Sequence, residues 1–543
     1  MPPAEQESDV LILGAGHNGL VCAAYLAAAG LSVTVLERRA VVGGAAVTQE
    51  FLPGFRNSVA AYTVSLLNPK VIRDLELPRH GLRILERPLA NFLPLEAGYL
   101  KVGAGRTQQE VARYSVRDAG RLEEYARRLD LIADVLRDVA LETPPNVTAA
   151  GWAAALPELL RTAGLGRRIA RLDLDMRREL LELFSRSAGE YLDDWFESEP
   201  IKAAYGFDSI VGHYASPYTP GSAYVLLHHV FGEVNGRKGA WGHAVGGMGA
   251  ITQAMAAAAR ERGVQIHVAT PVREVTVSAG RVTGARSDDG RSWRARCVVS
   301  SLNPKLLYQQ LLDPALLPAP FRERIAKWRC GSGTFRMNVA LSELPDFSVL
   351  PGRERAEHHA AGIIMAPSLA YMDQAWLDAR KHGWSQRPIV EMLIPSTLDD
   401  SLSPRGQHVA SLFCQHFAPQ LPDGASWDQH RDAVGDHIIE LVNSFAPNFK
   451  AAVLGRQLLS PLDLEREFGL IGGDIFHGAL TLDQLFAARP MLGHGDYRGP
   501  LAGLYMCGSG THPGGGVTGA PGHNAAREIL ADRRWWRAGR QFA

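Results

Sequence analysis

At the start of the chain the hydrophobic pattern changes period twice. Residues 10–13, VLIL, form a continuous apolar run of the length of a fully buried strand. From Leu20 to Ala29 almost every position is apolar or small, which predicts a helix buried nearly all round and stopped by Gly30. Residues 32–36 alternate into a second strand that ends at Glu37. Strand, helix and strand in so short a stretch predict a parallel βαβ unit.

Similar signals return late in the chain. A helix starting near Ala250 is followed by strand-like runs at 264–269, 272–277 and 282–286, separated by Gly, Pro and Asp-Gly turns. Residues 296–304 read as a buried strand entering a turn closed by Pro304. Near the C-terminus, 504–507 reads as a strand, 508–516 as a glycine-rich crossing, and the chain from about Ala520 as a helix.

The intervening sequence differs. Segments 106–139 and 172–196 carry helical periodicity with charged outer faces, and 143–160 predicts a loop and a new helix. GTFRMNVALSEL and RGQHVASLFCQHFAP read as strands, so helices covering a mixed or antiparallel sheet are expected. The resulting division is an α/β protein with a discontinuous nucleotide domain, 1–80, 235–310 and 455–543. A substrate domain takes 81–234 and 311–454. No internal repeat interrupts this plan.

Composition narrows the class. The 543 residues are long enough for more than one domain. The 57 basic and 57 acidic side chains cancel, so no global field draws the chain to nucleic acid. The five cysteines are scattered, without a CxxC pair or a metal-ligand cluster, and no metal is expected. The polar, acidic N-terminus is unlike a signal peptide, and no run of eighteen apolar residues occurs. A reducing cytoplasm fits these features. The ending DRRWWRAGRQFA interleaves Trp535 and Trp536 with basic residues, a pattern suited to peripheral membrane contact or a protein partner. Oligomeric state has no signature here.

The chemistry begins at Gly14, Gly16 and Gly19, spaced as GxGxxG between the first strand and helix. Gly14 permits the tight turn, Gly16 admits a pyrophosphate close to backbone, and Gly19 lets helix and strand close together. The helix N-terminus offers free N–H groups to that anion. Glu37, 18 positions past Gly19, suits a ribose hydroxyl and repels a 2′-phosphate. His17 and Asn18 lie in the loop and Arg38 follows the acid. The motif alone fits NAD or FAD. Gly43-Gly44, followed by Ala45, adds a second bare stretch beyond the ribose site, which suits the longer FAD.

GAGHNGLVCAAYLAAAG with VVGGAA resembles the phytoene desaturase-related FAD oxidoreductases, including carotenoid ketolases, and most closely their pyridine nucleotide-disulfide oxidoreductase domain-containing protein 2 branch. GAWGHAVGGMGAITQAM, GGDIFHGALTLDQLFAARP and GLYMCGSGTHPGGGVTGAPGHNAA carry the likeness through nearly the whole chain. The resemblance implies that the C-terminal motif returns to the N-terminal domain and lies along FAD. Gly508, Gly510, His512, Gly515, Gly516 and Val517 would then contact the cofactor, and Val272 its adenine side. Asn303 stands where such families carry a different cofactor ligand. His477, Gln484 and Arg489 would lie near the flavin, with His477 suited to proton transfer, and His243 is a further catalytic candidate. Aromatics between 201 and 231, with Tyr62, suit a channel for an apolar small molecule or ordinary packing. The expected reaction is FAD-dependent oxidation at a carbon–carbon bond of a polyene-like substrate. Amine oxidation and a non-enzymatic FAD-stabilised scaffold are the alternatives.

Overall fold

Strand Gln6–Leu13 shows why its sequence is so apolar. In the computed structural model, which describes residues 6–148 and 152–537, Val10 and Ile12 enter one core while Leu11 and Leu13 enter another, all fully buried. Side chains are described for 6–148 and 155–533. A strand covered on both faces has no need of polar alternation.

This strand is central in a seven-stranded sheet. On one side it pairs in parallel with Val33–Leu36, which pairs with Gln265–His267. On the other it pairs in parallel with Ser292–Ser300. The latter strand divides its partners along its length. Its first half pairs antiparallel with Arg281–Ser287, and thence Val272–Ser278, while residues 298–300 pair in parallel with Leu504–Met506. A strand from the far end of the chain thus completes the N-terminal sheet. Helix His17–Ala28 packs over it between helices Met248–Glu261 and Ala520–Arg537.

The second sheet also has seven strands, ordered Val453–Leu459, Thr334–Leu341, His408–Phe417, Trp384–Leu393, Gly362–Met365, Asn91–Pro94 and Tyr99–Val102. All neighbours are antiparallel except Gly362–Met365 beside Asn91–Pro94. Strand Val453–Leu459 straddles the expected 454/455 division, because its ladder partner is Thr334–Leu341. One face packs against helix Trp427–Phe445 and the other against the helices between 116 and 230. Two predicted helical stretches are each split by a serine. Ser115 and Ser187 cap new helices, Val116–Ala140 and Ala188–Trp195, by accepting from the N–H groups of Asp118 and Glu190. The tail expectation at 534–543 lies outside the described side chains. Among the described residues no helix is long and apolar enough to cross a membrane.

Candidate functional site

Helix His17–Ala28 begins without a side-chain cap: Gly16 is its N-cap and no acid occupies the first turn. Its first N–H groups have no partner within the helix. A cavity of about 340 Å³ opens directly against this end, lined by Gly14, Gly16, His17 and Asn18. The same cavity runs past Glu37, Arg38 and Arg39, past Gly44 and Ala45, and past Val272, Gly516 and Val517. Glu37 accepts from the backbone N–H groups of Ala15 and Arg39 at 2.8 and 2.9 Å, which holds its carboxylate at the cavity wall.

The two ends of the chain meet here. Asn18 Nδ2 donates to Ser509 Oγ at 3.2 Å, and the His17 ring bonds to the Gly516 backbone. A Cβ on Gly522 would lie 2.2 Å from the Asn18 carbonyl oxygen. Cys22 and Cys507, far apart in sequence, become neighbours as free, buried thiols, a pair that the spacing conceals.

Four buried polar atoms on the cavity residues lack a partner: His17 Nε2, Asn18 Oδ1, Ser65 Oγ and His477 Nδ1. Groups of this kind are ordinarily satisfied in native proteins, so they mark where an occupant donates and accepts. With an uncapped helix end and an acid at the end of the second strand, they suit the diphosphate, ribose and polar ring edge of FAD.

Several expected residues sit elsewhere. Gly43 is packed on Ala46 and Thr252, Gly508 on Ser301, and Gly510 on Pro304, whereas Gly19, packed on the Gly14 carbonyl, makes the close helix–strand contact expected of it. Gly515 faces Phe476, where a Cβ would come within 2.1 Å, so of the three consecutive glycines only Gly516 lines the cavity. His512 bonds through Nε2 to the Val139 carbonyl at 3.0 Å and stacks edge-on against Phe486.

Catalysis by Gln484, Arg489 and His243 is not what the geometry supports, because none of them lines the cavity. Gln484 holds both backbone groups of Arg329, at 2.8 and 3.0 Å. Arg489 is fully buried and donates to the carbonyls of Phe476 and Ser509, among others, tying the 476–489 loop to the C-terminal motif. Burial lowers its pKa to about 10. His243 pairs with Asp399 at 3.0 Å. His477 does line the cavity, but burial pulls its pKa down to about 3, which keeps it neutral and a weak proton acceptor.

Tyr62 and Phe207, expected among the channel aromatics, line the rest of the wall, and so does Asn303. Trp241, Phe413, Phe468, Phe476 and His229 line it too and were missed by sequence reasoning. Tyr205 instead stacks on Tyr125, their centroids 5.1 Å apart. Two acids stand among the apolar groups, Asp208 and Glu391. Glu391 accepts from the Tyr62 hydroxyl at 2.5 Å, and the charges of Arg87 and Arg336 act on it. The Asp208 carboxyl has no hydrogen-bond partner among the described residues, and burial together with Glu391 pushes its pKa up to about 8. A legible signal existed: each is a lone acid within an apolar run, AAYGFDSIVG and IVEMLI.

A Rossmann-type sheet, a second mixed sheet with covering helices, and one cavity spanning from the dinucleotide turn to an aromatic wall define a two-domain FAD-dependent oxidoreductase. Comparison with known proteins agrees. The family model for an NAD(P)-binding Rossmann-like domain matches residues 12–75, and that for flavin containing amine oxidoreductase matches 103–334. Pyridine nucleotide-disulfide oxidoreductase domain-containing protein 2 of Rattus norvegicus is 42% identical over 97% of this chain and 94% of its own length. The chain belongs to that protein's family. A limonene dehydrogenase polypeptide of Castellaniella defragrans is 24% identical over 98% of this chain and 96% of its own. A lycopene-forming phytoene desaturase of Pantoea ananas is 23% identical over 94% and 96%. Among solved structures, an oxidoreductase from Methanosarcina mazei superposes with TM-score 0.60 at 15% identity, covering 97% of this chain and 100% of that one. Cyclohexylamine oxidase from Brevibacterium oxydans gives 0.56 at 17%, covering 98% and 100%. These superpositions bear on the fold.

Proposed function

We propose that this protein oxidises the carbon–nitrogen bond of an amine with an apolar body, held in the aromatic-walled part of the cavity. The single observation that carries this reading is Asp208: its carboxyl lines the cavity beside the aromatic groups without a countercharge, whereas the other acid there, Glu391, is already bonded to Tyr62. The match of 103–334 to the flavin containing amine oxidoreductase model supports it. It takes precedence over the carbon–carbon reading expected from sequence.

FAD, when bound, supplies the two-electron acceptor. Gly14, Gly16 and the first turn of helix His17–Ala28 would hold its diphosphate, and Glu37 its ribose hydroxyls. Val272, on the same cavity wall, would serve its adenine side. His17, Asn18, Gly44, Ala45, Gly516 and Val517 surround the remainder, and the neutral His477 offers Nδ1 as a hydrogen-bonding group without carrying charge. Tyr62, stacked on Phe413 with centroids 5.2 Å apart, forms a flat apolar wall that excludes water from the substrate.

A second reading, dehydrogenation of a carbon–carbon bond in a hydrocarbon, is favoured by the likeness to the limonene dehydrogenase polypeptide and phytoene desaturase. Anaerobic mixing of the FAD-loaded protein with apolar primary amines, and separately with monoterpenes and polyenes, discriminates between the two. The expected result is loss of oxidised-flavin colour with amines. Bleaching by the hydrocarbons alone assigns the second reading.

A further inference from the structure

The 3₁₀ turn Phe207–Ser209 presents Asp208 to the cavity, and every other charged group nearby already has a counterpart. Glu391, on strand Trp384–Leu393, is matched by the Tyr62 hydroxyl and by the charges of Arg87 and Arg336. Tyr125 and Tyr205, from helices Val116–Ala140 and Glu199–Gly206, face Asp208 with high, neutral phenols. His229, from helix Ser222–Val230, meets the Asp208 backbone and is held neutral by burial, its pKa pulled down to about 4. No cation stands against the Asp208 carboxyl itself among the groups acting on it. A carboxyl at the cavity wall without a countercharge stays largely protonated near neutral pH, and a cation entering with the ligand is the partner that would draw it into the ionised form.

We infer that Asp208 receives the ammonium group of the substrate and takes one of its protons, so that the amine presents itself neutral at the oxidation site. This rests on the amine reading above. The proton balance is closed: an N–H bond breaks, its electron pair stays on nitrogen as the lone pair, and an O–H bond forms on the Asp208 carboxyl. FAD, when bound, would accept the hydride of the adjacent carbon with its two electrons, the nitrogen lone pair then closing the C=N bond of an iminium cation. A carboxyl whose pKa lies near 8 is matched to this exchange, because it is a far stronger proton acceptor than an ordinary aspartate. His477, the acceptor expected from sequence, is too weakly basic in its buried setting.

Calorimetric titration of the FAD-loaded protein with n-octylamine, and with 1-octanol as its uncharged counterpart, tests this across about pH 6 to 9. Below the Asp208 pKa the enzyme must release a proton to pair with an ammonium. Amine affinity is therefore expected to rise about tenfold per pH unit and level off near pH 8. 1-Octanol should show no such rise. Asp208→Asn should bind the amine at least about tenfold more weakly at the plateau and show no slope, while Asp208→Glu should retain it. Full FAD occupancy in each variant serves as the control for folding. The proposal is overturned if the Asn variant keeps the slope, or if wild-type protein does not bind n-octylamine at any pH. Slope without flavin bleaching would sink amine oxidation and leave the ammonium site standing. Equal bleaching in wild type and the Asn variant would do the reverse.

Discussion

At Gly16 a Cβ would meet nothing within 4 Å, whereas at Gly19 it would lie 2.2 Å from the Gly14 carbonyl oxygen. Gly16 also has φ −69° and ψ 167°, which valine adopts without strain. Gly16→Val should consequently fold and melt near the temperature of the FAD-free wild type while losing bound FAD, because its side chain fills the cavity beside the helix end. Gly19→Val should instead destabilise by about 3 kcal/mol, since helix and strand must move apart. Visible absorbance for cofactor and thermal melting for stability separate the two outcomes, and an unchanged FAD content in Gly16→Val would contradict the diphosphate assignment. Both glycines are equally prominent in the sequence. Their different environments follow the GxGxxG spacing, which leaves Gly16 open at the turn and sets Gly19 at the helix–strand contact.

Helix boundaries show the same limit at the scale of elements. The charged and apolar periodicity of 106–139 and 172–196 was legible, but the breaks at Ser115 and Ser187 were not, because a serine in a helical pattern reads equally as an exposed helix position. In the fold Ser187 Oγ accepts from the Glu190 N–H and donates to its carboxylate. Ser187→Ala should cost about 1 kcal/mol in stability, measurable by denaturant titration, and a variant as stable as wild type would remove the cap from the account. Strand Leu504–Met506 was legible as an element for the opposite reason: an apolar run ahead of clustered glycines has few other readings. Strand Val453–Leu459 was placed across a domain division because its partner, Thr334–Leu341, lies over a hundred residues earlier.

Over the whole molecule, the cofactor cavity joins residues from both ends of the chain and from the second sheet. Ligand binding to the folded state alone stabilises it by mass action. Free FAD at a thousandfold excess over its dissociation constant should add about 4 kcal/mol, seen as a melting temperature that climbs with FAD concentration. Protection of both the N-terminal and C-terminal segments from proteolysis should follow the same titration; protection of one end only would break the convergence. The Rossmann half and a dinucleotide site could be read from the chain alone, since strand, glycine turn, helix and terminal acid interact within one local stretch, while FAD over NAD rested on Gly43-Gly44 and the family resemblance. The rest of the site took shape in the fold. Asp208, His229, Glu391 and Phe413 come from separate elements, and whether such a side chain faces a cavity or a packed core depends on which neighbours bury it and which groups already satisfy its charge.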